Sequence, residues 1–263
     1  MKTACVLLLC LAGVPVHAQT LPFATEEAAT APRGSLAFEL GASIIGAEPN
    51  FLTGGERTRW DAPLLRLVYS PADNVEMDLE WTAGVGALDD PDFGNVSDWG
   101  DVVLRTKLRL LQQRASRPGL SARLQVMLPE TDADYGLGPN TLRMAAQLLL
   151  SWSAGRVAFD ANAGLSVQDQ VQQLVAQDDF LAYGLCIHSP LAAGLSLGAE
   201  VAGLAGKGSP GTEARHEARL GARWTWSRLR LAAAARRGLG PADGRWGVAV
   251  GLTAMLHGRF DGP

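Results

Sequence analysis

The chain is poor in the things soluble enzymes and secreted miniproteins rely on. It has three cysteines in 263 residues, and two of them, Cys5 and Cys10, fall in the first ten positions, so no internal disulfide framework holds the rest. Charged residues make up only 19% and aromatics 6%. Acids outnumber bases, 27 to 23, which gives no cationic surface for nucleic acid. After residue 20 there is no apolar run long enough for a membrane-spanning helix, although 47% of the chain is hydrophobic. Catalytic constellations are missing too. The histidines after residue 20 are His188, His216 and His257, and no motif sets a serine beside any of them, so no enzyme, cofactor or resident metal is expected.

What is present begins with a leader. Lys2 supplies a positive start, Ala4 to Val16 an apolar core, and Val16-His17-Ala18 a small-residue cleavage site. This is the pattern of a secretory signal peptide over 1–18, cut before Gln19. Residues 19–33 are rich in Ala, Thr and Glu, contain two prolines and show no periodicity; a flexible tail is expected there.

From Ser35 onward one pattern recurs. Val75, Met77, Leu79, Trp81, Ala83 and Val85 alternate with Glu76, Asp78, Glu80, Thr82, Gly84 and Gly86. Alternate side chains of a strand point to opposite faces, so this is a strand with one apolar and one charged side. The same alternation starts near residues 35, 101, 119, 140, 157, 179, 191, 214, 229 and 245, and less cleanly over Arg59 to Ser70. That makes about twelve strands of roughly ten residues, joined alternately by long and short connections. Ala87 to Asp98, Asp- and Gly-rich, reads as one of the long loops.

Alternation alone fits a soluble barrel as well as a membrane one. An even strand count, strands of ~9–11 residues and long loops opposite short turns favour an all-β, transmembrane, antiparallel up-and-down β-barrel over residues 34–263. Aromatics gather near strand ends as two belts, with Trp60, Trp99 and Trp246 on the long-loop side and Tyr69, Trp152, Trp224, Trp226 and Phe260 on the short-turn side; Trp81 does not fit. The apolar face then meets lipid and the charged face lines the lumen. Glu39, Glu76, Asp78, Glu80, Asp101, Arg105, Lys107, Arg109, Arg123, Arg143, Arg219 and Arg223 are the expected lumen-lining residues. Folding the hairpin about residues 92 and 93 puts Glu80 opposite Arg105, Asp78 opposite Lys107 and Glu76 opposite Arg109, as a charge ladder.

Residues 97 to about 162 resemble a bacterial outer-membrane family named for the meta-pathway of phenol degradation. The resemblance rests on Gly100-Asp101 opening a strand that contains Lys107, on Val126-Met127-Leu128-Pro129, on Gly136-Leu137-Gly138, and on the Leu-rich strand ending Ser151-Trp152. Glu130-Thr131-Asp132 stands where that family usually has a glycine after the proline. The resemblance implies an outer-membrane transporter for small hydrophobic or aromatic compounds.

Two other motifs fall short of their chemistry. The acids Asp89, Asp90, Asp92 and Asp98 do not match a calcium loop, because Gly94 comes one position early and the closing glutamate is missing. Gly206-Lys207-Gly208-Ser209 lacks the phosphate-loop spacing. The sequence therefore reads as a bacterial outer-membrane channel or transporter for small solutes, with membrane lipid as its surroundings. A structural or surface-interaction barrel, its lumen closed by the charge network, is the alternative.

Overall fold

A computed structural model describes residues 21–115, 117–171 and 176–257; the leader and Phe260 lie outside the described residues. Fourteen strands form: β1 (Leu36–Pro49), β2 (Glu56–Ala72), β3 (Val75–Thr82), β4 (Val85–Asp90), β5 (Gly94–Asp98), β6 (Val102–Leu111), β7 (Gly119–Leu128), β8 (Arg143–Ala154), β9 (Val157–Asp169), β10 (Gln177–Ala192), β11 (Leu195–Gly206), β12 (Arg215–Trp226), β13 (Leu229–Gly238) and β14 (Trp246–His257). Among the described residues there is no helix.

Twelve of the strands make a closed antiparallel barrel. Each pairs with its neighbour in chain order, β3 pairs with β6, and β1 pairs with both β2 and β14. Closure leaves no open edge, as a bilayer requires, since it offers backbone N–H and C=O groups no partners. β4 and β5 stand apart as a hairpin on the long-loop end, with β4 paired to the extension of β2 through Thr58–Asp61. The expected loop over Ala87 to Asp98 is thus largely ordered strand, and the continuous strand expected from Val75 to Gly86 breaks after Thr82.

The burial pattern is inverted relative to a soluble protein. Leu220 is 68% exposed, Leu165 66% and Leu124 63%, whereas Glu39, Glu76 and Arg66 are 1%, 2% and 5% exposed. Apolar side chains cover the outside and charged ones fill the inside, so the outer face is the one suited to lipid. Stacked aromatic pairs mark both ends. Trp152 and Phe159 meet at 5.9 Å beside the β8–β9 turn, and Trp81 stacks on Trp99 at 5.6 Å where β3 ends. Trp81 therefore belongs to the loop-side belt, because its strand is shorter than the alternation suggested.

Candidate functional site

The interior is built by inward positions of the strands and by a segment the sequence presented as a loose tail. Residues 21–34 run through the lumen instead. Gly34 N–H donates to Ser70 O (2.7 Å) at the short-turn rim, and Thr30 Oγ1 donates to Asp73 O (2.6 Å). Further in, Ala31 N–H donates to Glu76 Oε2 (3.1 Å) and Ala28 N–H to Ser151 Oγ (2.7 Å). The far end crosses to the opposite wall: Ala24 and Thr25 N–H donate to the two oxygens of Glu200 (3.0 and 2.5 Å), and Arg219 Nη1 donates to Pro22 O (2.5 Å). Where a flexible tail was expected, the backbone groups of this segment find partners on β3, β8 and β11.

Two consecutive acids hold the centre of this segment. Glu26 meets Arg123 Nη1 at 2.6 Å, Arg66 Nη2 at 3.6 Å and Lys107 Nζ at 3.8 Å. Glu27 points the other way, with Arg223 Nη1 at 3.8 Å and His188 Nε2 at 3.9 Å. Phe23 packs beneath the Arg223 guanidinium, 5.8 Å from its ring centre, a distance suited to cation–π attraction. Gly198 and Gly221 make room for this ring; a Cβ at either would lie about 3 Å from it (2.8 and 3.1 Å).

The twelve expected lumen residues divide into networks. Asp78 accepts from Arg66 Nε and Nη2 and from Arg105 Nη1 (3.0, 2.9 and 2.9 Å), and Arg105 grips Glu80 with both Nη atoms (2.9 and 3.0 Å). Lys107 meets Glu76 at 2.7 Å, and Glu39 accepts from Thr253 Oγ1 at 3.2 Å. Arg143 donates to Gln168 (2.9 Å), Asp101 Oδ1 accepts from Glu130 and Thr131 N–H (3.0 and 3.1 Å), and Arg219 lies 3.8 Å from Glu200. The ladder's register departs from expectation by two residues. Asp78 faces Arg105 and Glu76 faces Lys107, while Arg109 lies beyond the end of β3 with no carboxylate in reach among the described residues. Insertion of β4 and β5 moved the hairpin's centre.

At the long-loop end, Arg57 and Asp90 tie the loops together. Asp90 accepts from Asn50, from Arg57 and from the N–H groups of Asp92 and Phe93, while Arg57 also donates to Tyr135 and Gly136 O. Burial pushes the Asp90 carboxyl up, but these donors outweigh it and hold it below the ordinary carboxylate range. Its oxygens are committed internally, to Asn50, Arg57, Asp92 and Phe93.

A small polar cluster surrounds His188. Asp160 lies 3.1 Å from His188 Nε2 and accepts from Ser151 Oγ at 2.6 Å. Glu27, Asp160 and His188 offer three potential metal-ligand atoms within 4.8 Å of one another, and the Arg223 guanidinium, 3.3 Å from His188 Nδ1, supplies countercharge there. Asp160 thus links Ser151 to His188, an arrangement that no sequence motif announced.

By sequence, no family profile and no characterised protein matches this chain. By structure it is similar to an outer-membrane channel from Pseudomonas putida F1, with TM-score 0.66 and 16% identity over 87% of this chain and 97% of the other. The fold is that of an outer-membrane β-barrel. The translocator domain of autotransporter NalP from Neisseria meningitidis is also similar, with TM-score 0.52 and 13% identity over 85% of this chain and 89% of that one. Outer membrane phospholipase A from Escherichia coli, with TM-score 0.47 and 12% identity over 90% of this chain and 93% of the other, corrects the expectation that this chain is not an enzyme. At that similarity the likeness assigns no activity to this chain.

Proposed function

We propose that this barrel is an outer-membrane channel or transporter for small solutes, closed at rest by its own segment 21–34. One observation carries the reading. That segment forms no strand, and its attachments to the wall are ion pairs and scattered hydrogen bonds, so it can leave without breaking the barrel's backbone ladder. The likeness to the Pseudomonas putida channel supports a pathway, and the resemblance to the meta-pathway family favours small hydrophobic or aromatic solutes. Export by the expected leader would deliver the chain to the envelope, with lipid around its outer face. The lumen-lining role of the twelve charged residues belongs to this same reading.

The density of charge pairs around Glu26 supports the second reading, a barrel sealed by its network that serves a structural or interaction role. Conductance in planar bilayers separates the two. The full protein should give small or infrequent steps, and a variant lacking residues 21–33 large, sustained ones. Silence from both, with each shown to be folded by heat-modifiability, would favour the sealed barrel.

A further inference from the structure

Above the plug, on the long-loop side, lies a cavity of about 350 Å³, at the low end of the range for small-molecule sites, ~300–1,000 Å³. Its floor is Ala24 of segment 21–34, and its walls come from β7 to β13. Five arginines line it, Arg123, Arg143, Arg215, Arg219 and Arg236, against two acids, Glu217 and Asp243.

Four of the five are already answered by carboxylates. Arg123 meets Glu26 at 2.6 Å, Arg215 meets Glu48 at 3.3 Å, Arg236 meets Glu217 at 3.1 Å, and Arg219 pairs with both Glu200 and Glu217. Asp243 is spent on the N–H groups of His216 and Gly240, at 2.9 and 2.8 Å. Arg143 differs. Among the described residues its side chain has only the neutral Gln168 as a hydrogen-bond partner; Arg215 and Asp101 act on it in opposite senses from beyond ion-pair contact, and Asp101 Oδ1 is turned to Glu130 and Thr131 N–H.

A half-buried guanidinium that faces a cavity with no carboxylate in contact has room for one more anion. We propose that this vestibule binds a small organic carboxylate, its carboxylate group held by Arg143 and its apolar body against Ala145, Ala182, Ala202 and Leu204. The guanidinium fork matches a carboxylate in two parallel N–H···O bonds, and the small apolar side chains leave the cavity's volume to the ligand's body. The solute rests on Ala24, directly above the segment that closes the lumen. The inference rests on the reading of the barrel as a solute pathway and supplies that reading's substrate class.

The test is calorimetric titration of the folded full protein in detergent with sodium hexanoate, and with hexanol as the neutral analogue. Hexanoate should bind, hexanol should not compete with it, and Arg143→Gln should weaken hexanoate roughly tenfold to a hundredfold, as expected for a lost charged hydrogen-bond pair. Arg143→Lys should recover part of the affinity. Chloride should compete with hexanoate on the unaltered protein, a readout that needs no variant to fold. Equal binding of hexanoate and hexanol, indifference to chloride, or an unaffected Arg143→Gln protein would overturn the site. Because binding is read without a membrane, a protein that binds hexanoate yet never conducts defeats the pathway and leaves the site standing. One that conducts without binding does the reverse.

Discussion

Glu26 Oε1 lies 2.6 Å from Arg123 Nη1, a contact between the segment inside the lumen and the middle of β7. The neighbouring cations have other partners: Lys107 keeps Glu76, and Arg66 keeps Asp78 and Glu39. Arg123 has Gln147 besides, which carries no charge. Replacing Glu26 by Gln therefore strands one guanidinium more than the others. Breaking a buried ion pair costs about 3–5 kcal/mol, and part of that is recovered as water enters the lumen. Glu26→Gln should raise open probability in planar bilayers by at least about tenfold while leaving the barrel's heat-modifiability intact. An unchanged single-channel record would show that Glu26 does not hold the closed state.

The two faces of β3 make a second prediction. Leu79 is outward and 45% exposed, and Asp78 is inward beneath Arg66 and Arg105. An arginine on the lipid face near the midplane costs ~2–4 kcal/mol. Asp78→Ala leaves Arg105 with Glu80 and Arg66 with Glu39 and Glu26, so its two cations remain answered. Leu79→Arg should therefore block membrane assembly and Asp78→Ala should not. Equal yields of heat-modifiable protein from both would reverse the assignment of faces.

Much of the barrel was legible because alternation is a local signal. Leu36 to Ile44, Leu120 to Leu128 and Leu229 to Ala235 each carry it within a few residues, and all three are strands. The ladder was legible in composition but not in register. Glu80 and Arg105 do pair, but diagonally, because placing them directly opposite assumed a simple loop, and nothing in Ala87 to Asp98 announced that Ala87 would pair with Arg59 on β2. Segment 21–34 was least legible, since partners as far off as Glu200 and Arg219 impose no period on it. A charge count held the one available signal. The twelve expected lumen residues hold seven bases against five acids, and Glu26-Glu27 is an adjacent acid pair just ahead of the first strand.

Acid should loosen the long-loop end. Asp90 and Asp178 are both held below the ordinary carboxylate range, where burial alone would raise them, because donors surround them; for Asp178 these are Thr212, Ser209 and Gln170. A depressed carboxyl contributes stability that is complete above its unfolded pKa, about 3.9 for Asp, and is lost as pH falls through the lower folded value. Limited proteolysis of the outer loops should therefore be constant from neutral pH to about pH 4 and accelerate below it. Asp90→Asn should already be cleaved at neutral pH in the 130–140 loop, which Arg57 and Asn50 fasten to Asp90's side of the barrel. Cleavage of that variant at the unaltered rate would place the fastening elsewhere.

Cys186 offers a reporter for the closing segment. It lies on β10, 4% exposed, between Asp160 on β9 and Glu200 on β11, and within electrostatic reach of Glu27. Glu200 receives the N–H groups of Ala24 and Thr25, so the segment lies over the strand next to this thiol. With Cys5 and Cys10 both in the expected leader, Cys186 would be the single thiol of the exported chain. A maleimide small enough to enter the lumen should label the full protein slowly. Labelling should be at least about tenfold faster when residues 21–33 are removed, because thiol reactivity follows access. Glu26→Gln should fall between the two, in proportion to the time its segment spends away from the wall. Identical rates in all three proteins would mean that the segment does not govern access to the lumen, whatever the conductance shows.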